Sequence, residues 1–237
     1  VEKLRAGATG LGIGLSDAQI EQFRRYYEVL TDWNSRINLT SVTGREEVQT
    51  THFLDSLTVS LAIPRDLLKE GCFADVGSGG GFPGIPLKIA FPGLRATLIE
   101  STAKKTAYLR ELCGRLGLSG VDVRTGRAET LAHDPELREQ FDIVLARALA
   151  GMAVLTELTL PFCRMGGRVV AQKKLGIDEE LSRAENAITS MGGTFRELRE
   201  VELRELGEPR ALVVLEKVGS TPDRYPRRPG MPAKRPL

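Results

Sequence analysis

Near the start of the chain, apolar residues recur at helical spacing. Ile20, Phe23, Tyr27, Leu30, Trp33 and Ile37 stand three and four apart, which predicts a helix with one apolar face. Ser16 fits its N-cap, and Gln19, three residues on, completes a capping box. A second helix is predicted over residues 45–62, with Val48, Leu54, Leu57 and Leu61 facing inward and Pro64 ending it. Residues 15–69 therefore read as a helical cap. Residues 1–14, small and glycine-rich, are expected to be flexible. From Cys72 the pattern changes. Strand-like blocks at 72–76, 96–100, 121–124, 141–146 and 167–172 alternate with helix-like stretches at 84–91, 104–116, 152–163 and 178–191. Such alternation predicts a parallel sheet covered on both faces, hence an α/β fold. Two further strand candidates, 195–203 and 210–217, lie close enough to pair as an antiparallel hairpin. The sheet domain is expected over 70–218. A tail over 219–237 follows, too proline-rich at its end for helix or sheet and expected to run extended or stay mobile.

The first strand-like block runs into Gly77-Ser78-Gly79-Gly80-Gly81-Phe82-Pro83-Gly84. Glycine this dense lets backbone pass close to a ligand, because no Cβ intervenes. At the carboxyl end of a first parallel strand it marks a nucleotide-type cofactor site. Glu100 ends the next block roughly 20 residues on, where an acid can accept ribose hydroxyls. The turn alone does not choose the cofactor. The dinucleotide spacing G-x-G-x-x-G is met only approximately, and the Gly-Lys-Ser/Thr of a P-loop is absent.

Composition narrows the class further. At 237 residues, 41% hydrophobic and 27% charged, the chain is globular and long enough for one large domain with an appendage. No apolar run reaches the ~18 residues of a membrane span. Cys72, Cys113 and Cys163 are odd in number and widely spaced, which suits a reducing cytoplasm and gives no metal pattern. Net charge is +2, unevenly spread. Arg224, Arg227, Arg228, Lys234 and Arg235 lie in a tail with no acid after residue 223, so the remaining residues carry −3.

Several short motifs complete the picture: Asn38-Leu39-Thr40, His52-Phe53-Leu54-Asp55-Ser56, Phe82-Pro83-Gly84-Ile85-Pro86, Arg127-Ala128-Glu129, Ala146-Arg147-Ala148, Gln172-Lys173 and Tyr225-Pro226-Arg227-Arg228. Together with Asp75-Val76-Gly77-Ser78-Gly79, which looks like motif I of S-adenosylmethionine-dependent methyltransferases, this set closely resembles the RsmG family (glucose-inhibited division protein B). The resemblance spans roughly residues 15–237. It implies a class I methyltransferase sheet of five parallel strands plus a terminal hairpin. It also implies methylation of guanine N7 in 16S rRNA, at guanine 527 by the usual rRNA numbering, with S-adenosylmethionine as cofactor.

Carried over residue by residue, the resemblance places Gly77, Gly79 and Phe82 on the cofactor, Glu100, Ser101 and Thr102 at its ribose, and Ala128 and Glu129 at its adenine. Arg147 falls near cofactor and substrate, as a positioning group. Lys174 departs from the glycine many members carry after the lysine matching Lys173. Lys173, Arg224, Arg227, Arg228, Lys234 and Arg235 are the expected RNA contacts, the partner being rRNA free or within the small ribosomal subunit or its precursor. Guanine N7 offers an in-plane lone pair and no proton, so attack on a sulfonium methyl needs alignment and no general base. The chain carries neither Asp/Asn-Pro-Pro-Tyr/Phe nor a nucleophilic cysteine after the fourth block. Cys163 reads as packing, and no metal is expected. A small-molecule methyltransferase and an inactive cofactor-binding module associated with RNA remain the alternatives. The tail's charge favours RNA, and it is expected to contact phosphates, so that its deletion leaves cofactor binding intact.

Overall fold

The computed structural model describes residues 2–237. Its centre is a seven-stranded sheet in the order β3-β2-β1-β4-β5-β7-β6. The strands are β1 (Cys72–Val76), β2 (Arg95–Glu100), β3 (Val121–Thr125), β4 (Phe141–Arg147), β5 (Cys163–Lys173), β6 (Gly193–Val201) and β7 (Arg210–Lys217). The first five run parallel. β7 pairs antiparallel with both β5 and β6, so the final hairpin enters the sheet with its second strand innermost. The predicted strands and hairpin are all present; β5 begins four residues before its predicted start.

Period-two alternation sorts the central strands onto two faces. Val144, Ala146, Val169, Ala171, Val213 and Leu215 belong to one core; Ile143, Leu145, Val170, Leu212 and Val214 belong to the other. The helices Met152–Thr159 and Glu185–Ser190 cover the first face. The helical cap and the helices Gly84–Ala90 and Ala103–Leu116 cover the second.

In the cap, α1 (Glu2–Gly10) replaces the flexible start expected from composition. Leu4 and Ala8 are fully buried, and a Cβ on Gly7 would collide with Leu54, so small residues serve close helix packing there. α2 (Asp17–Asn34) begins with the expected capping box of Ser16 and Gln19. Its buried residues are Phe23, Tyr26, Val29 and Leu30. The inward face is therefore turned from the expected stripe: Tyr26 is buried, and Tyr27 only in part. Residues 45–62 are helical as expected, passing through α, π and 3-10 turns before Pro64.

The tail is packed as well. Arg138 donates to the carbonyls of Thr221 and Tyr225, and His133 Nε2 to that of Pro226. Tyr225 is buried in the core, and a short helix, Met231–Lys234, follows. Proline at position 232 lies in its first turn, where no intrahelical donor is needed.

Candidate active site

The strand order reverses between β1 and β4, the point at which open α/β sheets bind ligands outside their carboxyl ends. A cleft of about 350 Å³ opens there. Its walls include Gly77, Glu100, Ser101, Ala128, Glu129 and Leu149. Five of the expected cofactor residues are thus brought together from the ends of three strands, β1, β2 and β3, and Leu149 joins them from beyond β4.

The glycine turn is held by groups the sequence alone did not single out. The hydroxyls of Tyr26 and Tyr108 both donate to the Gly80 carbonyl, at 2.6 and 3.1 Å. Burial raises both phenols well above their ordinary range, so they remain donors. Glu100 anchors the turn from the other side. Its Oε2 accepts from the Gly79 amide at 3.1 Å, and its Oε1 from the Thr102 amide at 2.8 Å. Oε1 also accepts from Ser101 Oγ at 3.4 Å, so Oε2 is the oxygen that retains a lone pair for a further donor. Gly77 has φ +77°, and a Cβ there would lie 2.6 Å from Leu149 Cδ1.

Gly79, Phe82, Thr102 and Arg147 do not line the cleft. Gly79 and Thr102 act as backbone donors to Glu100. Phe82 is buried, stacked on His52 at 4.6 Å and beneath the Arg147 guanidinium at 4.9 Å. Arg147 belongs to a polar network joining sheet and cap. It donates to Asp55 Oδ2 at 3.0 Å and to His52 Nδ1 at 3.3 Å. His52 Nδ1 also lies 3.2 Å from the Thr51 carbonyl, and its Nε2 lies 2.6 Å from Thr40 Oγ1. Burial, then the charge of Arg147, lowers His52 to about 4, so the ring is neutral near pH 7. Asp55 Oδ1 also accepts from Arg210 Nε at 2.9 Å. Ala148, next in the chain, takes φ +52°, a conformation that only a few per cent of non-glycine residues adopt. It turns the chain from Arg147, facing the cap, to Leu149, facing the cleft.

Two expected RNA contacts are engaged within the protein. Lys173 is paired with Glu180 and donates to the Ala150 carbonyl, both at 2.7 Å. It points away from Arg147 because Gln172, not Lys173, is the register partner of Arg147. Arg227 is bound to Glu157, a fully buried carboxylate, through Nε and Nη2 and through its own amide. Arg224, Arg228, Lys234 and Arg235 are exposed and form no ion pair among the described residues. Tyr225, being buried, is not available to stack on a base. Cys163 is buried packing, its thiol pushed up to about 12 by burial. Among the described residues no group of three His, Cys, Asp or Glu could hold a metal, and no helix is long and apolar enough to cross a membrane.

Asp75 lies fully buried beneath the turn, accepting from the Gly84 amide at 3.0 Å, and its Oδ1 has no hydrogen-bond partner. Burial pushes its carboxyl up to about 7, against the opposing pull of the Gly84 amide. The folded protein thus keeps a proton that the unfolded chain releases near pH 4. Stability contributed at low pH is lost as pH rises through the window from about 4 to about 7. Asp75→Asn should flatten this slope in urea denaturation compared at about pH 5 and about pH 7.5. An unchanged slope in the variant would assign it to other groups.

Five parallel strands with this reversal, extended by an antiparallel β7 set between β5 and β6, are the arrangement of the class I methyltransferase fold. Solved structures of that fold agree. The chain superposes on TrmN from Thermus thermophilus with TM-score 0.51 at 23% identity, covering 70% of this chain and 48% of that one. It superposes on TYW2 from M. jannaschii in complex with AdoMet with TM-score 0.50 at 18% identity, covering 63% and 70%. The family model described as rRNA small subunit methyltransferase G (GidB) matches residues 19–206. A relative named "Ribosomal RNA small subunit methyltransferase G" from Dehalococcoides mccartyi is 49% identical over the full length of both chains. One of the same name from Pelotomaculum thermopropionicum is 46% identical over all of this chain and 98% of its own. The chain belongs to the rRNA small subunit methyltransferase G family.

Proposed function

We propose that this protein transfers the methyl group of S-adenosylmethionine to N7 of a guanine in 16S rRNA, guanine 527 by the usual numbering, within the small ribosomal subunit or its precursor. The observation that carries the reading is the cleft at the sheet's switch point, in a chain matched over its whole length by methyltransferases of that name. Its volume suits a small-molecule ligand, and the bare backbone of Gly77 is a cradle that any side chain would fill. When bound, S-adenosylmethionine supplies an electrophilic methyl on a sulfonium.

The residues have distinct tasks. Glu100 would accept the ribose hydroxyls while holding the turn through Gly79. Ala128 and Glu129 would form the adenine end. Arg147 would position the approaching nucleotide from the cap side, its guanidinium fixed by Asp55, His52 and the face of Phe82. A neutral His52 fits this arrangement, because N7 carries no proton to remove. The exposed tail cations Arg224, Arg228, Lys234 and Arg235 would meet phosphates, whereas Lys173 and Arg227 serve the protein's own structure.

Mapping N7-methylguanine along 16S rRNA from cells with and without this protein tests the reading. A single N7 methyl should disappear with the protein and return when the purified enzyme and S-adenosylmethionine are added to unmodified small subunits. An unchanged N7-methylguanine map would overturn it.

A further inference from the structure

The C-terminal tail reaches the cleft. Gly230, Pro232 and Ala233 form part of its wall, beside Ala128 and Glu129. The Gly230 amide donates to Glu129 Oε1 at 2.9 Å. Gly230 has φ +82°, which suits glycine and turns the chain into the short helix Met231–Lys234. Upstream, the bidentate pair of Arg227 with buried Glu157 fixes the tail against the helix Met152–Thr159. That helix also lines the cleft, through Val154 and Leu158. A fully buried carboxylate needs such a partner, because its charge is costly to leave unpaired.

We infer that residues 230–233 are a structural wall of the cofactor site, and that Arg227 and Glu157 are positioning residues that hold this wall in place. The inference rests on the proposed cofactor. It reverses the expectation that deleting the tail leaves cofactor binding intact. The wall closes the adenine end of the cleft and keeps Glu129 oriented through the Gly230 amide, leaving Glu129 Oε2 free to accept a donor. Cofactor contact and the exposed cations Arg228, Lys234 and Arg235 then lie on one short segment. Any coupling between cofactor and RNA through this segment acts equally in both directions, as linkage requires.

The test compares the full chain with one ending at Arg228, titrated calorimetrically with S-adenosylhomocysteine. The shortened chain should bind at least about tenfold more weakly. Glu157→Gln should raise KM for S-adenosylmethionine about fivefold with kcat within about twofold, a split that a merely structural role would not produce. If the shortened chain does not fold, hydrogen exchange on the intact protein decides. Saturation with S-adenosylhomocysteine should slow the amides of residues 230–235, and unchanged exchange would overturn the inference. Equal affinity in full and shortened chains would likewise overturn it, leaving the proposed function untouched. A full chain that binds neither S-adenosylmethionine nor its product would count against the proposed function itself.

Discussion

Replacing Gly77 by valine should abolish cofactor binding while leaving the protein folded. Gly77 sits at the end of β1 with φ +77°, where a β-branched residue is a genuine outlier costing about 1–3 kcal/mol. The added Cβ would lie 2.6 Å from Leu149 Cδ1. Relief requires Leu149 to move, and Leu149 itself lines the cleft, so strain and lost space act at the same place. A loss of affinity of about a hundredfold or more for S-adenosylhomocysteine is expected by calorimetry. The melting temperature should fall by about 2–12 °C, at about 2–4 °C per kcal/mol for a chain of this size, which leaves the protein folded at about 25 °C. Gly79→Leu is the weaker experiment. A Cβ on Gly79 would approach only the Gly77 carbonyl, at 3.7 Å, and Gly79 is not part of the cleft wall. Wild-type affinity in Gly77→Val would show that the turn does not form the site.

The sheet was legible in the sequence because its signals are local. Cys72–Val76 is an apolar block closed by glycine, and Glu100 ends the next block at the expected interval. The same locality exposed two of the cleft's contributors, Gly77 and Glu100, whereas Ala128 and Glu129 were indicated only by the resemblance to the family. What escaped depends on contacts between distant parts of the chain. Tyr26 lies one position from the expected apolar stripe, and only the fold brings its hydroxyl to Gly80, 54 residues away. Arg227 counts as a tail cation in any sum of charges, yet Glu157, 70 residues earlier, neutralises it. Lys173 and Arg147 end neighbouring strands, but the alternation of side chains sends them to different partners. The N-terminal helix was missed for a related reason. Gly7 weakens a helix in isolation, and its value lies in the close approach of Leu54, which composition cannot show.

Asp55→Ala should be the most destabilising single change in the site. One carboxylate serves two arginines from different strands, Arg147 on β4 and Arg210 on β7, while its backbone carbonyl accepts from Gln172 on β5 at 2.7 Å. The cap is thereby tied to three adjacent strands at one residue. The Asp55 side chain is 7% exposed and those of Arg147 and Arg210 16% and 15%, so little water is at hand to replace the carboxylate. Removing it leaves two guanidinium groups close together, Arg147 without its counter-ion and Arg210 with only the exposed Glu208 carboxylate at 3.8 Å. Breaking a buried pair from one side costs about 3–5 kcal/mol, and the arginines' residual exposure places this case near the lower bound. A loss of about 3 kcal/mol in chemical denaturation is expected, with a melting temperature lower by about 6–12 °C. Asp55→Asn keeps the shape and one acceptor oxygen and should lose less. Adding Arg147→Met to Asp55→Ala should recover part of the loss, since the second change removes a charge the first left stranded. It should not recover methyl transfer, because the group proposed to position the nucleotide would be gone. A stability change within about 0.5 kcal/mol for Asp55→Ala, the range of ordinary surface substitutions, would show that the two arginines are held by other contacts.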